Sequence, residues 1–506
     1  MEYMAAANRK RFVPLCFLVL ILIIQFIIFG PHVGMGFVTD DFNWLESVVR
    51  SGKVEYLRPF TATTGFFRPL VGLSFGIQYQ LHGMNPKAYG LFNLFVHLLN
   101  IILVYLVLSE WDKSKYLALS AAALFALNAK AANMAVGWIS GRTTLMFSFF
   151  MLLSFYLFLK DRHNPLPHYR SLRFICISTS YMAALLAKET AAAAPIFVFF
   201  FTLLNSHRTA DGPLQLPGVN ERFKKGAKAV IPFILPLMIY FLLRFNSDAF
   251  TPFNAPTYYR YSFAPLVILK NISEYIIRAG MLDIYIMIVF IIIGGLFGLK
   301  KKSPGKRINS NDKGTFPAWG LLWFLCFLLP ALPLSIRSDL YAYFPQIGLH
   351  VVFLYFITRL FHKYKDKMSI KNKNKTKNIH RYALGIAVGV LLAAWMGYLW
   401  IKAESYSKKA SSSTAFTDQM VKAASQIAPG SRLLIFDTQV DDENSPLRTV
   451  AYGFNPMLNL YYPHKHFSGT IIPFDKISEM KGKEKTSPDV LYFIWQNDRL
   501  ARAPFL

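Results

Sequence analysis

Long apolar runs recur along most of the 506-residue chain and alternate with short stretches that are rich in charge. A run of about 18–20 apolar residues is long enough to cross a bilayer as a helix. The pattern predicts an all-α polytopic membrane protein with about 11 transmembrane helices. The predicted spans are 13–30, 91–109, 116–133, 143–160, 172–187, 190–205, 229–245, 281–299, 316–335, 340–359 and 382–402.

Two further apolar stretches do not fit a simple span. The run 70–81 is short and includes Gln78 and Gln80, which favours a helix that lies along the membrane surface. The region 262–280 places charged side chains at helical spacing among apolar residues. We expect it to be interfacial or re-entrant, because a span there would move the basic loop 300–313 to the outer side.

The chain changes character after residue 402, where the long apolar runs end. We predict a membrane domain over 1–402, with a large first outer loop at 31–90, and a small extracytoplasmic α/β domain over 403–506. Short apolar segments separated by turn-rich sequence indicate its strands. The predicted strands are 433–436, 470–473 and 489–495.

The net charge of +27 is concentrated in the loops on one side of the predicted topology. Of the Lys and Arg residues in and around the membrane domain, 29 fall on the predicted cytoplasmic side and 13 on the other. The positive-inside rule then places the N-terminus in the cytoplasm and the C-terminal domain outside. The dense basic run 363–381 is expected to contact anionic lipid headgroups, and no nucleic acid partner is indicated. The three cysteines lie within apolar runs, without metal-ligand or disulfide spacing.

An acidic pair, Asp40 and Asp41, follows the first predicted span by about ten residues. Adjacent side chains point in different directions, so one carboxylate can face a pocket while the other makes a supporting contact. Partial burial raises the pKa of a carboxyl group, which suits a general base. The alternative is that the pair caps a helix or lies in a solvated turn.

Four cations lie at the ends of apolar runs on the same predicted side: Arg68, Arg142, Lys188 and Arg337. If they converge, they could stabilise a leaving phosphate. Alternatively, each reaches toward lipid headgroups, or Lys188 and its neighbour Glu189 pair across a tight hairpin. We expect the acidic pair to face these cations across a cavity near the membrane surface.

A polar stripe crosses the second predicted span, where Tyr89, Asn93, His97 and Asn100 share one face. Hydrogen bonds between helices are the ordinary interpretation of such a stripe. The functional alternative is a polar wall of the substrate cavity. A lone histidine in such a stripe does not indicate a metal site.

The acidic pair and several later motifs resemble the GT-C superfamily of membrane glycosyltransferases. They are similar to the eukaryotic transmembrane O-mannosyltransferases and their bacterial relatives, in the family's order and over roughly residues 13–360. The motifs are Phe67–Leu70, Asn85–Asn100, Gly137–Arg142, Lys188–Glu189 and Tyr341–Gly348.

This resemblance implies an enzyme that moves a sugar, of hexosyl or mannosyl type, from a polyprenyl-phosphate donor to a hydroxyl group, with inversion. It implies Asp40 as general base, with Asp41 assisting. The four cations would hold the donor phosphate, and the substrate cavity would include Asn93, His97, Glu189 and Tyr341. No cofactor and no metal site is implied, although a divalent metal stays possible. The expected partners are the lipid-linked sugar, membrane lipids and an acceptor. The similarity to bacterial relatives implies a bacterial inner membrane as the location.

Other readings stay open at this point. The segment Asn128–Arg142 has neither the histidine nor the acid that the family often carries there, so protein, lipid and glycan acceptors are equally open. Another polyprenyl-borne group, such as a pentose, would need the same site. The alternatives to an enzyme are a non-catalytic membrane scaffold and a lipid or glycan transporter. A transporter would be expected to show inverted repeats, which we do not find.

Overall fold

The computed structural model describes residues 2–51, 65–112, 114–161, 172–205, 218–247, 249, 255–296, 316–371, 376–477 and 489–503. The predicted basic loop 300–313 lies outside these residues, as do 52–64 of the first loop and 372–375 of the basic run. The helices are α1 (Glu2–Phe29), α2 (Asp40–Ser51), α3 (Pro69–His82), α4 (Pro86–Asp112), α5 (Lys115–Ala126), α6 (Ala131–Gly137), α7 (Arg142–Lys160), α8 (Leu172–Ala187), α9 (Ala194–Asn205), α10 (Val219–Ala229), α11 (Ile231–Phe245), α12 (Pro265–Leu296), α13 (Phe316–Leu328), α14 (Gln346–Lys371), α15 (Thr376–Ser425), α16 (Pro446–Thr449) and α17 (Phe454–Tyr461). The strands are β1 (Arg432–Asp437), β2 (Ser468–Pro473), β3 (Val490–Gln496) and β4 (Arg499–Arg502).

Several helices are long and apolar enough to cross a membrane, as expected of an integral membrane protein. Within the described residues, five helices meet this condition by themselves: Phe12–Phe29, Pro86–Trp111, Ile139–Lys160, Pro265–Ile292 and Gly385–Ser425. Two bent pairs, α5 with α6 at 61° and α10 with α11 at 51°, raise the number to seven if each pair is one span. Four shorter apolar helices accompany them, so the span count of 11 stays a prediction.

Helix α12 is kinked where the sequence predicted a boundary between two elements. The interfacial or re-entrant segment 262–280 and the span 281–299 were expected to be separate. Two helical segments meet at Gly280, whose φ of −118° and ψ of 22° are not helical, so the boundary is confirmed. The interfacial placement of the first segment stays a prediction. The side chain of Asn128 donates hydrogen bonds of 3.0 Å to the carbonyls of Arg278 and Ala279, which supplies partners for the peptide groups next to the kink.

An aromatic cluster joins the helices in the core. The indole of Trp111 stacks on Trp319 with ring centroids 5.7 Å apart. Trp323 meets the edge of Phe197 at 5.1 Å and packs beside Phe155 at 5.2 Å. Such pairs are worth roughly 0.5–1.5 kcal/mol beyond the area they bury. They tie α4, α7, α9 and α13 into one scaffold.

Helices α13 and α14 pack backbone against backbone at two glycines. A Cβ on Gly320 would lie 2.5 Å from the carbonyl oxygen of Gly348, and a Cβ on Gly348 would collide with the carbonyl oxygen of Gly320. Small residues permit such close approach between membrane helices. Gly348 belongs to the Tyr341–Gly348 motif, so the contact also fixes the turn that precedes α14.

We expect Gly348→Ala to destabilise the protein by roughly 1–3 kcal/mol, because the added methyl group must push two helix backbones apart. Thermal unfolding of the purified protein in detergent measures the effect. Gly389→Ala is the matched control, since its Cβ would meet nothing within 4 Å. Equal melting temperatures for both variants would contradict the close approach.

The C-terminal residues form a four-stranded sheet in the order β2-β1-β3-β4. Strand β1 pairs in parallel with β2 and β3, while β4 is antiparallel to β3. The predicted strands are therefore present, and β1 is buried on both faces, as is usual for a central parallel strand. Helix α15 runs unbroken through the proposed domain boundary at residue 402 and packs on the sheet through Phe416. Helix α17 packs against α2, so the sheet lies at the end of the bundle that carries Asp40.

Candidate functional site

A cavity of about 640 Å³ opens beside the start of α2. Its walls come from the loop before α3, the α8–α9 junction and the turn Asp339–Ala342. The cavity brings together five of the residues that the sequence singled out: Asp40, Arg68, Lys188, Arg337 and Tyr341. One carboxylate thus shares a cavity with three of the four predicted cations.

Asp40 is the first residue of α2, and its half-buried carboxyl group lines the cavity. Burial raises the pKa of Asp40 to about 6, although the charge of Arg68 and a hydrogen bond from Asn43 act in the opposite direction. A carboxylate with this pKa is ionised at neutral pH and more basic than an exposed aspartate. It therefore meets the requirement for a general base.

Asp41 is fully buried and faces away from the cavity. One carboxylate oxygen accepts hydrogen bonds from the backbone NH and the hydroxyl group of Ser140, and the other accepts from the backbone NH of Val38 at 2.8 Å. Burial raises the pKa of Asp41 to about 7, against the effect of these hydrogen bonds. The second carboxylate therefore ties the loop before α2 to the turn before α7.

Arg68 is held by a carboxylate behind the cavity wall. Its guanidinium group donates two hydrogen bonds to Glu189, at 3.0 and 2.6 Å, and lies 4.1 Å from the ring centre of Phe66. Glu189 itself is not among the lining residues. The pair fixes the position of Arg68 and offsets part of its charge.

Lys188 differs from the other cations in its partners. Its side chain is almost fully buried, and its ammonium group donates a 2.7 Å hydrogen bond to the hydroxyl of Thr144 and lies 5.0 Å from the ring centre of Tyr341. Within the part of the chain that the structure describes, no carboxylate forms a salt bridge with it. Burial, together with the charge of Arg68, lowers the pKa of Lys188 to about 7. An anion in the cavity would supply the missing countercharge.

The cavity wall also contains a charged network, of which sequence reasoning assigned only Arg337 to the site. Arg278 forms a salt bridge with Asp339, and both line the cavity. Arg337 contacts Glu274 at 3.3 Å and donates a 2.6 Å hydrogen bond to Asn271. The signal was visible as charges at helical spacing in an apolar stretch, but the stretch was assigned to the interface. Tyr452 was missed as a lining residue altogether; it belongs to the C-terminal unit, the described residues 403–477 and 489–503.

Arg142 lies outside the cavity, so the structure does not support its predicted contact with the donor phosphate. It is fully buried, donates hydrogen bonds to Gln78 and, at 3.3 Å, to Asn93, and lies 4.3 Å from the ring centre of Phe75. These contacts join α3, α4 and α7. Its position indicates a structural role.

Asn93 and His97 are also away from the cavity wall. Asn93 donates two 3.0 Å hydrogen bonds to the carbonyls of Trp138 and Ile139. His97 is buried, with Nδ1 2.7 Å from the hydroxyl group of Tyr343. The polar stripe of the second predicted span thus forms hydrogen bonds between elements, which was the ordinary interpretation.

We expect Arg142→Gln to lower stability by roughly 1–3 kcal/mol, since it removes a charge from a buried hydrogen-bond network. The affinity of the folded fraction for a polyprenyl-phosphate-linked sugar, the donor that the resemblance implies, is expected to change less than about twofold, because Arg142 does not line the cavity. Thermal unfolding and ligand binding measure the two effects. Lys188→Gln is the contrasting variant, with the larger loss of affinity. A large loss of affinity in Arg142→Gln at unchanged stability would restore the phosphate-binding role.

The described residues contain no group of three or more His, Cys, Asp or Glu side chains that could hold a metal ion. The charged groups of the cavity are instead carboxylates and cations that face one space. Such an arrangement can accept a proton at one wall and stabilise negative charge at another.

Part of the chain is similar in sequence to a known protein. No family model matches the chain. The chain is 29% identical over 259 residues to the protein O-mannosyl-transferase Tmtc1 of Drosophila melanogaster, a match that covers 46% of this chain and 29% of that relative. The matched region therefore spans less than a third of the curated relative.

Two solved structures are similar to most of the chain. ArnT from Cupriavidus metallidurans, crystallised with undecaprenyl phosphate, has a TM-score of 0.50 at 14% identity and covers 95% of this chain and 92% of its own. The archaeal oligosaccharyltransferase AglB from Archaeoglobus fulgidus has a lower TM-score of 0.48 at 13% identity, and covers 91% of this chain and 65% of its own. The fold shared with ArnT and the sequence match to Tmtc1 together support the resemblance to the GT-C superfamily of membrane glycosyltransferases.

Proposed function

We propose that this chain transfers a sugar from a polyprenyl-phosphate donor to an acceptor hydroxyl group, with Asp40 as general base. The observation that carries the proposal is the shared cavity, which is lined by Asp40 together with Lys188, Arg68 and Arg337. The sequence match to an O-mannosyl-transferase supports sugar transfer. The fold shared with ArnT, which was crystallised with undecaprenyl phosphate, supports a lipid phosphate as the carrier.

The donor phosphate is assigned to the Lys188 side of the cavity. The ammonium group of Lys188 is buried without a carboxylate partner among the described residues, so a phosphate relieves the cost of its burial. Arg68 adds positive charge from a position fixed by Glu189. Both charges stabilise the phosphate as the sugar leaves it. Tyr341 packs against Lys188 and completes this wall.

The acceptor hydroxyl group is assigned to Asp40. In a single displacement, the acceptor oxygen forms a bond to the anomeric carbon while the bond from that carbon to the phosphate oxygen breaks. The hydroxyl proton passes to the Asp40 carboxylate, and the phosphate departs with its bonding electrons. One displacement inverts the anomeric configuration. Asp41 assists by holding the loop through Ser140 and Val38.

The site is assigned to the outer face of the membrane. Most of the Lys and Arg residues of the loops fall on the opposite side in the predicted topology, which favours a cytoplasmic N-terminus. The C-terminal unit lies at the same end as the cavity, through the contact of α17 with α2. Protein, lipid and glycan acceptors all provide the hydroxyl group that this chemistry needs.

We expect Asp40→Asn to lower sugar transfer by about 100-fold or more, because the amide cannot take the acceptor proton. Transfer of radiolabelled mannose from dolichyl or undecaprenyl phosphate, in membranes that contain the full chain, measures the activity. Because Asp40 must be ionised, kcat/KM is expected to rise with pH through a pKa of about 6 and to be lost below it.

Asp475→Asn is the matched control, as it removes an exposed carboxylate of the C-terminal unit. Full transfer by Asp40→Asn would move the base to another residue. A wild-type chain that transfers sugar from neither donor would favour the scaffold or transporter readings.

Lys188 predicts a second pH dependence. With a folded-state pKa of about 7, its charge is present below that pH and is lost above it. The affinity for dolichyl phosphate mannose, a phosphodiester of constant charge, is therefore expected to fall by up to about tenfold per unit between about pH 7 and 9. Ligand binding to the purified protein measures this dependence.

Lys188→Arg provides the control, because a guanidinium group stays charged over this range. It is expected to remove the pH dependence, while Lys188→Gln is expected to bind with the same low affinity at every pH. A wild-type affinity that does not vary between about pH 7 and 9 would argue against phosphate contact by Lys188.

A further inference from the structure

We propose that the C-terminal unit is a working part of the transfer site, in which Gly453 and Ser413 are positioning residues for the base. They act on residues 35–41, called the Asp loop below, which carries Asp40. The inference rests on the proposed role of Asp40. It assigns a role in transfer to a part of the chain that sequence reasoning treated as a separate domain.

Helix α15 runs directly along the first half of the Asp loop. The hydroxyl of Ser413 donates a 2.5 Å hydrogen bond to the carbonyl oxygen of Phe37, and that of Thr414 donates a 3.1 Å bond to the carbonyl oxygen of Met35. Between them, a Cβ on Gly36 would collide with the carbonyl oxygen of Ala410. Ser413 is fully buried, so its bond to the loop is shielded from water.

The turn before α17 holds the second half of the loop. The backbone NH of Thr39 donates a 2.9 Å hydrogen bond to the carbonyl oxygen of Thr449. Gly453 lies against the carbonyl oxygen of Thr39 so closely that a Cβ would collide with it, and a Cβ would also lie 3.1 Å from the ring of Phe42. The residue directly before Asp40 is thus in contact with the C-terminal unit through both of its peptide groups.

Thr39 needs this support because its backbone is strained. Its φ of +48° is in the left-handed region, which a β-branched residue rarely adopts. Such a conformation persists only where surrounding contacts over-determine it. The contacts from Thr449 and Gly453 therefore determine the direction in which α2 begins, and with it the direction of the Asp40 side chain.

The same turn reaches the cavity itself. Tyr452, next to Gly453, lines the cavity that contains Asp40. On α17, Asn459 donates a 2.8 Å hydrogen bond to the carboxylate of Glu46, which lies on α2. The C-terminal unit thus contacts the loop, the helix and the cavity wall. A displaced turn would move the Asp loop and admit water to Asp40.

The test compares Gly453→Ala and Ser413→Ala with the wild type, as full chains in lipid nanodiscs. Modification of Asp40 by a hydrophobic carbodiimide, which needs the protonated carboxyl group, is followed against pH by mass spectrometry of the peptide fragments. The wild-type midpoint is expected near pH 6. In Gly453→Ala it is expected to fall by about one unit, because Asp40 becomes hydrated, with a smaller fall in Ser413→Ala.

Gly397→Ala is the matched control, since a Cβ there meets nothing within 4 Å, and its midpoint is expected to equal that of the wild type. Lower melting temperatures in Gly453→Ala and Ser413→Ala with unchanged Asp40 midpoints would indicate a merely structural role and overturn the inference. Failure of the proposed function would give a different result. Asp40→Asn would then keep sugar transfer, independently of the midpoints of Asp40 modification.

Discussion

The cost of burying charge at one end of an apolar helix bundle governs this structure. An unpaired ion in such a place is expensive, so each buried cation needs a partner. Arg68 has Glu189, and Arg278 has Asp339. Lys188 has a hydroxyl group and an aromatic ring, but no salt bridge to a carboxylate among the described residues. This difference between Lys188 and the paired arginines identifies Lys188 as the point in the cavity where an anionic group is stabilised most.

The same cost separates the roles of the two adjacent carboxylates. Asp41 is buried completely, and three hydrogen-bond donors from Val38 and Ser140 compensate its burial. Asp40 is buried only in part and faces the cavity. Two residues of identical chemistry thus have different environments, because consecutive residues at a helix start point in different directions. Asp41 holds the loop in place, and Asp40 presents a basic carboxylate to the cavity.

Much of the site was predictable because charged residues at the ends of long apolar runs are costly and few. Asp40, Lys188 and Arg337 were found in this way, and the strands of the C-terminal unit followed from short apolar segments. Arg142 was grouped with these charged residues, but it lies outside the cavity, because sequence does not reveal that Gln78 and Asn93 surround it in the core. The break of helix α12 at Gly280 was predicted, because charged residues interrupt the apolar pattern before it.

The contacts of the C-terminal unit could not be predicted from the sequence, for a different reason. The approach of Gly453 to Thr39 joins residues near opposite ends of the chain, and hydrophobic periodicity reports only local structure. A glycine before a short helix looks like an ordinary turn residue. Its close contact with a strained backbone becomes visible only when the tertiary structure brings the two segments together.

Helix α15 is a single element of 50 residues, about 75 Å long at the usual rise of an α-helix. Its apolar part begins near Gly385, and the hydroxyl groups that hold the Asp loop lie farther along at Ser413 and Thr414. Helices respond to bilayer thickness by changing their tilt. Because one continuous helix joins both parts, a change of its tilt in a thicker or thinner bilayer is expected to displace Asp40 as well. Bilayer thickness is then expected to affect the chemistry proposed for Asp40.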